Sequence, residues 1–152
     1  MADKVKFELV SPEKLLLSEE VAMVVVPGTE GNFGVLPGHA LFISTVRPGI
    51  IDVYGQDQHA VTQRLFVSGG FAEVSPERCT VLADEAMPVR DIDRGAVEGE
   101  AKILESEVAG LKDEIARAAA EEKPELLTHL RASERRLATS RAKLEALKAQ
   151  AH

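Results

Sequence analysis

At residues 87–88 the apolar pattern of the chain changes period, and this constrains its architecture more than any other feature. Before Met87-Pro88, apolar residues alternate with polar ones or gather in short β-branched blocks broken by Gly and Pro; after it they recur at steps of four and three. A period of two belongs to a strand with one face on a core, and a period near 3.6 belongs to a helix. The chain therefore holds two structural codes in series, with strands over 3–87 and helices over 91–149.

In the first code, Val5, Phe7 and Leu9 alternate with Lys4, Lys6 and Glu8, which predicts a half-buried strand. Ser11-Pro12 ends it. A short segment over 15–17, a β-branched run over 21–26, and strands over 41–46, 50–54, 59–67, 71–74 and 79–83 follow, separated by Arg47-Pro48-Gly49, Gly55-Gln56-Asp57, Ser68-Gly69-Gly70 and Ser75-Pro76. Many short strands at close intervals without an intervening helical pattern predict an antiparallel β-sandwich or flattened barrel. The stretch 26–40 holds Pro27, Pro37, Gly28, Gly31, Gly34 and Gly38. That density predicts a specific looped path, neither helix nor regular strand, pinned by Phe33, Val35 and Leu36. Its glycine spacing fits neither the dinucleotide fingerprint nor the P-loop, and no Gly-Lys-Ser/Thr follows.

In the second code, Val97, Ala101, Leu104, Val108, Leu111, Ile115 and Ala118 make one seam, and Leu126, Leu130, Ser133, Leu137, Ser140, Leu144 and Leu147 make another. Asp91 and Asp93 stand where carboxylates favour a helix start. Pro124 stands where proline suits the first turn of a new helix. Two matched seams across a short break predict an antiparallel two-helix hairpin. The seam is thin: Ala101, Ala118, Ser133 and Ser140 bury little area, so a hairpin held this weakly could open. Acids exceed bases in the first helix, whereas Arg131, Arg135, Arg136, Arg141, Lys143 and Lys148 dominate the second. Two uses of those cations stay open: pairing with the first helix, or docking on an acidic partner.

A net charge of −7 and a pI near 5.2 exclude a general nucleic-acid binder, because phosphate neutralisation needs a basic face. A protein partner is expected instead. No run of about eighteen apolar residues could span a bilayer, and the start alternates where a signal peptide would have an apolar core, so any membrane association is expected to go through another protein. Cys79 is the only cysteine and lies in an apolar run, as a buried structural thiol would. His39, His59, His129 and His152 lack ligand spacing among themselves or with Cys79, so no metal site is expected. His39 beside Gly38 suits a loop-shaping hydrogen bond or a partner contact. Asp84 and Glu85 read as solvated charge at a strand end. No nucleophile with a base, carboxylate pair or metal cluster emerges, so the chain is not expected to be an enzyme, and no cofactor is expected.

Three blocks in order carry a family resemblance: the stretch 26–40, Phe66-Val67-Ser68-Gly69-Gly70-Phe71-Ala72-Glu73-Val74, and Val81-Leu82-Ala83-Asp84-Glu85-Ala86. Together with the helical C-terminal third they resemble the epsilon subunit of bacterial F-type ATP synthases. The resemblance implies a ten-stranded β-sandwich with a C-terminal helical hairpin, in a non-catalytic subunit of the central stalk. It implies the gamma subunit and the c-ring as partners, allows beta and alpha, and places the chain peripherally at the cytoplasmic face of the bacterial inner membrane. It further implies that Glu30, Gly31, Asn32, Phe33 and His39 lie at the ring-facing end. The helices would inhibit ATP hydrolysis, with Arg131, Arg135, Arg136 and Arg141 meeting an acidic segment of beta. An Ile/Leu-Asp-x-x-Arg-Ala motif binds ATP in some members. Here Ile92, Asp93 and Arg94 open a degenerate copy in which Ala96 stands at the arginine position. The alternative from another class is a free-standing β-sandwich binding module with a coiled-coil oligomerisation tail.

Overall fold

Ten strands and two long helices make up the computed structural model, which describes residues 4–150. The strands are β1 (Val5–Val10), β2 (Leu15–Val21), β3 (Met23–Gly28), β4 (Gly31–Val35), β5 (Phe42–Val46), β6 (Gly49–Tyr54), β7 (Gln63–Val67), β8 (Gly70–Val74), β9 (Arg78–Ala83) and β10 (Ala86–Pro88). A 3-10 turn at Val89–Asp91 leads to α1 (Arg94–Arg117) and α2 (Lys123–Gln150). The chain divides into two compact units, the first ending at Asp91 and the second beginning at Ile92.

In the first unit, β10, β7, β6, β3 and β4 form one layer, and β5, β8, β9, β1 and β2 form the other. The layers are joined by a single backbone pairing of Gly28 with Val46. Every pairing is antiparallel except that of β1 with β9, which is parallel. Alternation decides which side chains enter the core: Val5, Phe7 and Leu9 of β1 meet Val74, Cys79 and Val81 of their own layer and Val24, Ile51, Val53 and Val67 of the facing one. Each buried side chain of this size contributes roughly 1.5–3 kcal/mol. Cys79 is fully buried within this cluster, and desolvation pushes its thiol up to about 12. A neutral thiol is a poor nucleophile. Cys79 is therefore expected to stay silent towards a thiol reagent in the native state and to react stoichiometrically in denaturant, as a colorimetric thiol assay would read.

Four expectations are corrected. Residues 26–35 are not a loop: β3 continues through Pro27 to Gly28, and β4 returns from Gly31. The segment over 15–17 is the start of a strand that runs to Val21, and the chain crosses between layers at the buried Ala22. Strand β7 begins at Gln63, four residues after His59. Asp57 accepts the backbone N–H groups of His59 (2.8 Å) and Ala60 (3.2 Å), bending the chain where alternation alone suggested strand. Those two N–H groups, His59 first, hold the Asp57 carboxyl below its ordinary value. Strand β10 was not foreseen; Met87 and Pro88 pair with Phe66 and Leu65 at the sheet edge, where proline is tolerated.

The second unit has the predicted seams as far as Ile115 and Leu144; Ala118 is the extended C-cap of α1 and not part of its last turn, and Ala146 is buried beside Leu147. Ala101, Leu104, Val108 and Leu111 pack on Leu130 and Leu137, flanked by Ile115, Leu126 and Leu144. Ser133 and Ser140 are buried in the same seam. Asp93 caps α1, its carboxylate accepting the N–H of Ala96 at 3.1 Å. At about 1.5 Å per residue, α1 and α2 are roughly 36 and 42 Å long.

Candidate functional site

The stretch 26–40 is a built projection. Gly28 pairs with Gly31 across the two-residue turn Thr29-Glu30, so a dense glycine pattern that suggested a loop is instead that of a tight β-hairpin. A side chain at Gly28 would meet the Gly31 carbonyl oxygen at 2.8 Å and the Phe33 ring at 3.0 Å, and Gly31 has φ +136°. Glycine is needed in these strands for close approach and for backbone direction. Arg47 ties the turn down. Its guanidinium donates to the Gly28 carbonyl and, at 2.6 Å, to Asn32 Oδ1, and its backbone N–H donates to the Pro27 carbonyl at 2.8 Å. Thr29 and Thr45 hydroxyls meet at 2.8 Å.

The five residues expected at one end do come together. Glu30 is exposed in the turn, and Gly31, Asn32 and Phe33 follow on β4. Phe33 stands edge-on to Phe42 with centroids 5.1 Å apart, and the His39 ring is tilted against Phe42 at the same centroid distance of 5.1 Å. His39 Nδ1 is 2.9 Å from the Ala40 carbonyl oxygen, the loop-shaping bond expected of it. The structure adds Arg47, Phe42 and Thr45, which the sequence pattern did not single out.

Next to this hairpin lies a surface that sequence reasoning missed. On the outer side of the second layer, cross-strand register places Thr45, Phe71, Leu82, Val10 and Leu15 in one row over β5, β8, β9, β1 and β2. Ile43 stands one row away, opposite Glu73. Ile43 is 73% exposed, Phe71 56% and Leu82 47%, with Leu41 at 76% beside them. A shallow concavity lined by Phe33, Phe42, Ile43, Thr45 and Phe71 joins this face to the β3–β4 hairpin. Solvated sheet faces are ordinarily polar, and contiguous apolar patches mark interaction sites. A signal was present: Phe42-Ile43, Phe71-Ala72 and Val81-Leu82 are apolar at both parities, which a one-faced strand has no reason to be.

On the helical unit, Arg136 pairs with Glu100 (3.6 Å), Arg141 with Glu105 (3.5 Å) and His129 with Glu107 (2.9 Å). Arg131 and Arg135 are exposed, and among the described residues neither has a carboxylate within 4 Å. The four arginines are thus split, two tied to α1 and two facing outward. Of the degenerate motif, Ile92 is buried, Asp93 is spent on the helix cap, and Arg94 lies 4.0 Å from Glu98. Among the described residues there is no cluster of His, Cys, Asp and Glu able to hold a metal, and no helix long and apolar enough to cross a membrane. His152 lies outside the described residues.

A family model for the ATP synthase, Delta/Epsilon chain, beta-sandwich domain matches residues 4–89. The ATP synthase epsilon chain of Rhodospirillum centenum is 53% identical over 150 residues, which is 99% of this chain and 96% of that one. The chain belongs to the ATP synthase epsilon-chain family. A second epsilon chain, from Parvibaculum lavamentivorans, is 48% identical over 131 residues, covering 86% of this chain and 98% of its own length. Because the match with the Rhodospirillum chain runs through α2, membership covers the helical hairpin as well as the sandwich. An epsilon chain is an accessory subunit of ATP synthase and not its catalyst. The fold also matches a chain in the cryo-EM structure of the Euglena gracilis mitochondrial ATP synthase, solved as OSCP/F1/c-ring, with a TM-score of 0.65, 24% identity, and coverage of 100% of this chain and 84% of that chain. Membership and packing both count against a free-standing module with an oligomerisation tail: the α1 seam that a second copy would use is filled by α2.

Proposed function

We propose that this epsilon chain works as a rotor part of the central stalk in a bacterial F-type ATP synthase, coupling c-ring rotation to ATP synthesis. The observation that carries the reading is the apolar row with exposed Phe71, Leu82 and Leu15, continuous with the Arg47-clamped hairpin. Gamma docks on the apolar row, and the polar loops of the c-ring meet the tip at Glu30, Gly31, Asn32 and Phe33 with His39. A subunit that passes torque needs a stiff contact. The hairpin meets that need through its short turn, its guanidinium clamp and its aromatic brace.

The helices regulate. Freed from α1, Arg136 and Arg141 join Arg131 and Arg135 on one strongly basic helix that suits an acidic segment of beta, and ATP hydrolysis is inhibited. Nucleotide binding at Ile92, Asp93 and Arg94 is not part of the proposal, because Ala96 supplies no cation for a phosphate and Asp93 is engaged as a cap. The chain is held at the cytoplasmic face of the inner membrane through its partners.

Co-purification of the tagged chain from native membranes, followed by ATPase assay with and without residues 92–152, tests both parts. Recovery of gamma and c subunits with either form, and hydrolysis several-fold faster for the truncated complex, is the expected result. An unchanged rate removes inhibition and keeps the stalk role; loss of gamma from the full chain overturns the stalk role itself.

A further inference from the structure

The outer side of the second layer is banded. Beside the apolar row of Thr45, Phe71, Leu82, Val10 and Leu15 runs a second row in register with it: Ile43, Glu73, Thr80, Glu8 and Ser18. Its two carboxylates are in opposite situations. Glu8 is spent: its Oε1 lies 3.4 Å from Arg78 Nε and accepts the Thr80 hydroxyl at 3.4 Å, and its side chain is only 19% exposed. Glu73 is exposed, and among the described residues its carboxylate has no cation within 4 Å and no hydrogen-bond donor. Its cross-strand neighbours are Ile43 and Thr80, neither of which carries a charge. Between the two rows lies a dimple of about 250 Å³ walled by Val10, Ile43, Phe71 and Leu82, with the Thr80 hydroxyl group and the Glu73 carboxylate at its margin.

We propose that this dimple is the socket for one lysine or arginine side chain of gamma, with Glu73 meeting its head group. The inference rests on the reading that gamma docks on the apolar row. Lysine and arginine join an apolar stem to a cationic tip, and the dimple offers apolar walls that end on one anion. The stem lies against Ile43, Leu82 and the ring of Phe71, whose face also attracts a cation. Other occupants are disfavoured for separate reasons. An apolar side chain would strip water from the carboxylate and give nothing in return, and an acidic one would be repelled by it.

Glu73 then selects and orients its partner more than it holds it. It stands at the polar margin of the row, where the pair keeps one side in water, and an ion pair of that kind adds little affinity. Neutralising Glu73 therefore changes binding by no more than about twofold. Reversing its charge sets two cations against each other and is expected to weaken binding about ten- to hundredfold, chiefly through slower association.

The test follows full-length variants binding to isolated gamma by surface plasmon resonance, with thermal melts to show that each is folded. At about 0.05 M NaCl, Glu73→Lys is expected to bind about ten- to hundredfold more weakly than the parent, and at about 0.5 M the deficit should shrink to under about threefold as screening shortens the reach of the charge. Changing one lysine or arginine of gamma to glutamate should restore binding to Glu73→Lys. Parent-like binding by Glu73→Lys, a loss that ignores salt, or a set of gamma charge reversals none of which restores binding overturns the socket. If Phe71→Asp weakens binding in the same assay while Glu73→Lys does not, the gamma contact stands without the socket; if neither does, this face is not gamma's and both readings fall.

Discussion

Gly70→Ala is expected to cost the sandwich on the order of 3–5 kcal/mol, enough to leave much of the protein unfolded at 37 °C. Gly70 has φ +149°, and a Cβ there would stand 1.9 Å from the Leu82 carbonyl oxygen and 2.9 Å from its carbon. The obstacle is backbone, which cannot rotate away as a side chain could. Moving it would pull apart two pairings at once, since Gly70 lies opposite Ala83 of β9 and Val46 of β5. Urea denaturation followed by circular dichroism reads the effect. Gly110→Ala is the internal contrast: the added methyl meets nothing within 4 Å, so the helix should gain up to about 1 kcal/mol from propensity alone. A Gly70→Ala protein with the parent's midpoint would mean that the β8–β9 approach is looser than this geometry requires.

Phe71→Asp is expected to weaken association with isolated gamma by roughly thirty- to thousandfold while leaving the fold intact. Phe71 is the aromatic of the row, flanked by Thr45 and Leu82 across the strands, and well-packed aromatics dominate interface energies. Because its side chain is more than half exposed, substitution should change stability by no more than about 0.5 kcal/mol. Glu73→Ala, on the same strand and face, tests whether any surface change there would do the same; it should leave affinity nearly untouched. Titration calorimetry against gamma, with thermal melts of each variant, separates the two effects. Unaltered affinity in a folded Phe71→Asp protein would move the gamma contact off this face.

The division into strands and helices was legible because a period of two and a period near 3.6 cannot be confused over such lengths. The helical seams were read correctly except at Ala118, which caps α1, because neighbours on one helix face are fixed by local geometry, and Asp93 and Pro124 marked the helix starts by their own chemistry. The β3–β4 hairpin was misread because Gly28 and Gly31 serve close approach and backbone direction within strands, a need set by Phe33 and by the opposite strand rather than by the residues themselves. Arg47 was invisible as a clamp for a similar reason: its partners Asn32 and Gly28 are 15 and 19 residues away. The apolar row was hidden because it exists only through register across five strands, although doubly apolar dipeptides at Phe42-Ile43 and Phe71-Ala72 pointed to it. Which arginines pair inside the hairpin depended on the antiparallel offset of the helices, which the seams alone leave free.

The single parallel pairing has a consequence for how the protein is made. Lys6 through Val10 bond to Arg78 through Leu82, so β1 cannot complete its ladder until a partner some seventy residues later has left the ribosome. Strand β2 can cover only one side of β1 in the meantime. Pairings so distant in sequence are slow to form and leave strand edges open. The sandwich must therefore wait for β9 and then close nearly all at once, whereas α1 and α2, adjacent in sequence, can pair as soon as both have appeared. During that interval the nascent chain presents Val5, Phe7 and Leu9 to the cell, and it is there that a chaperone would have most to protect.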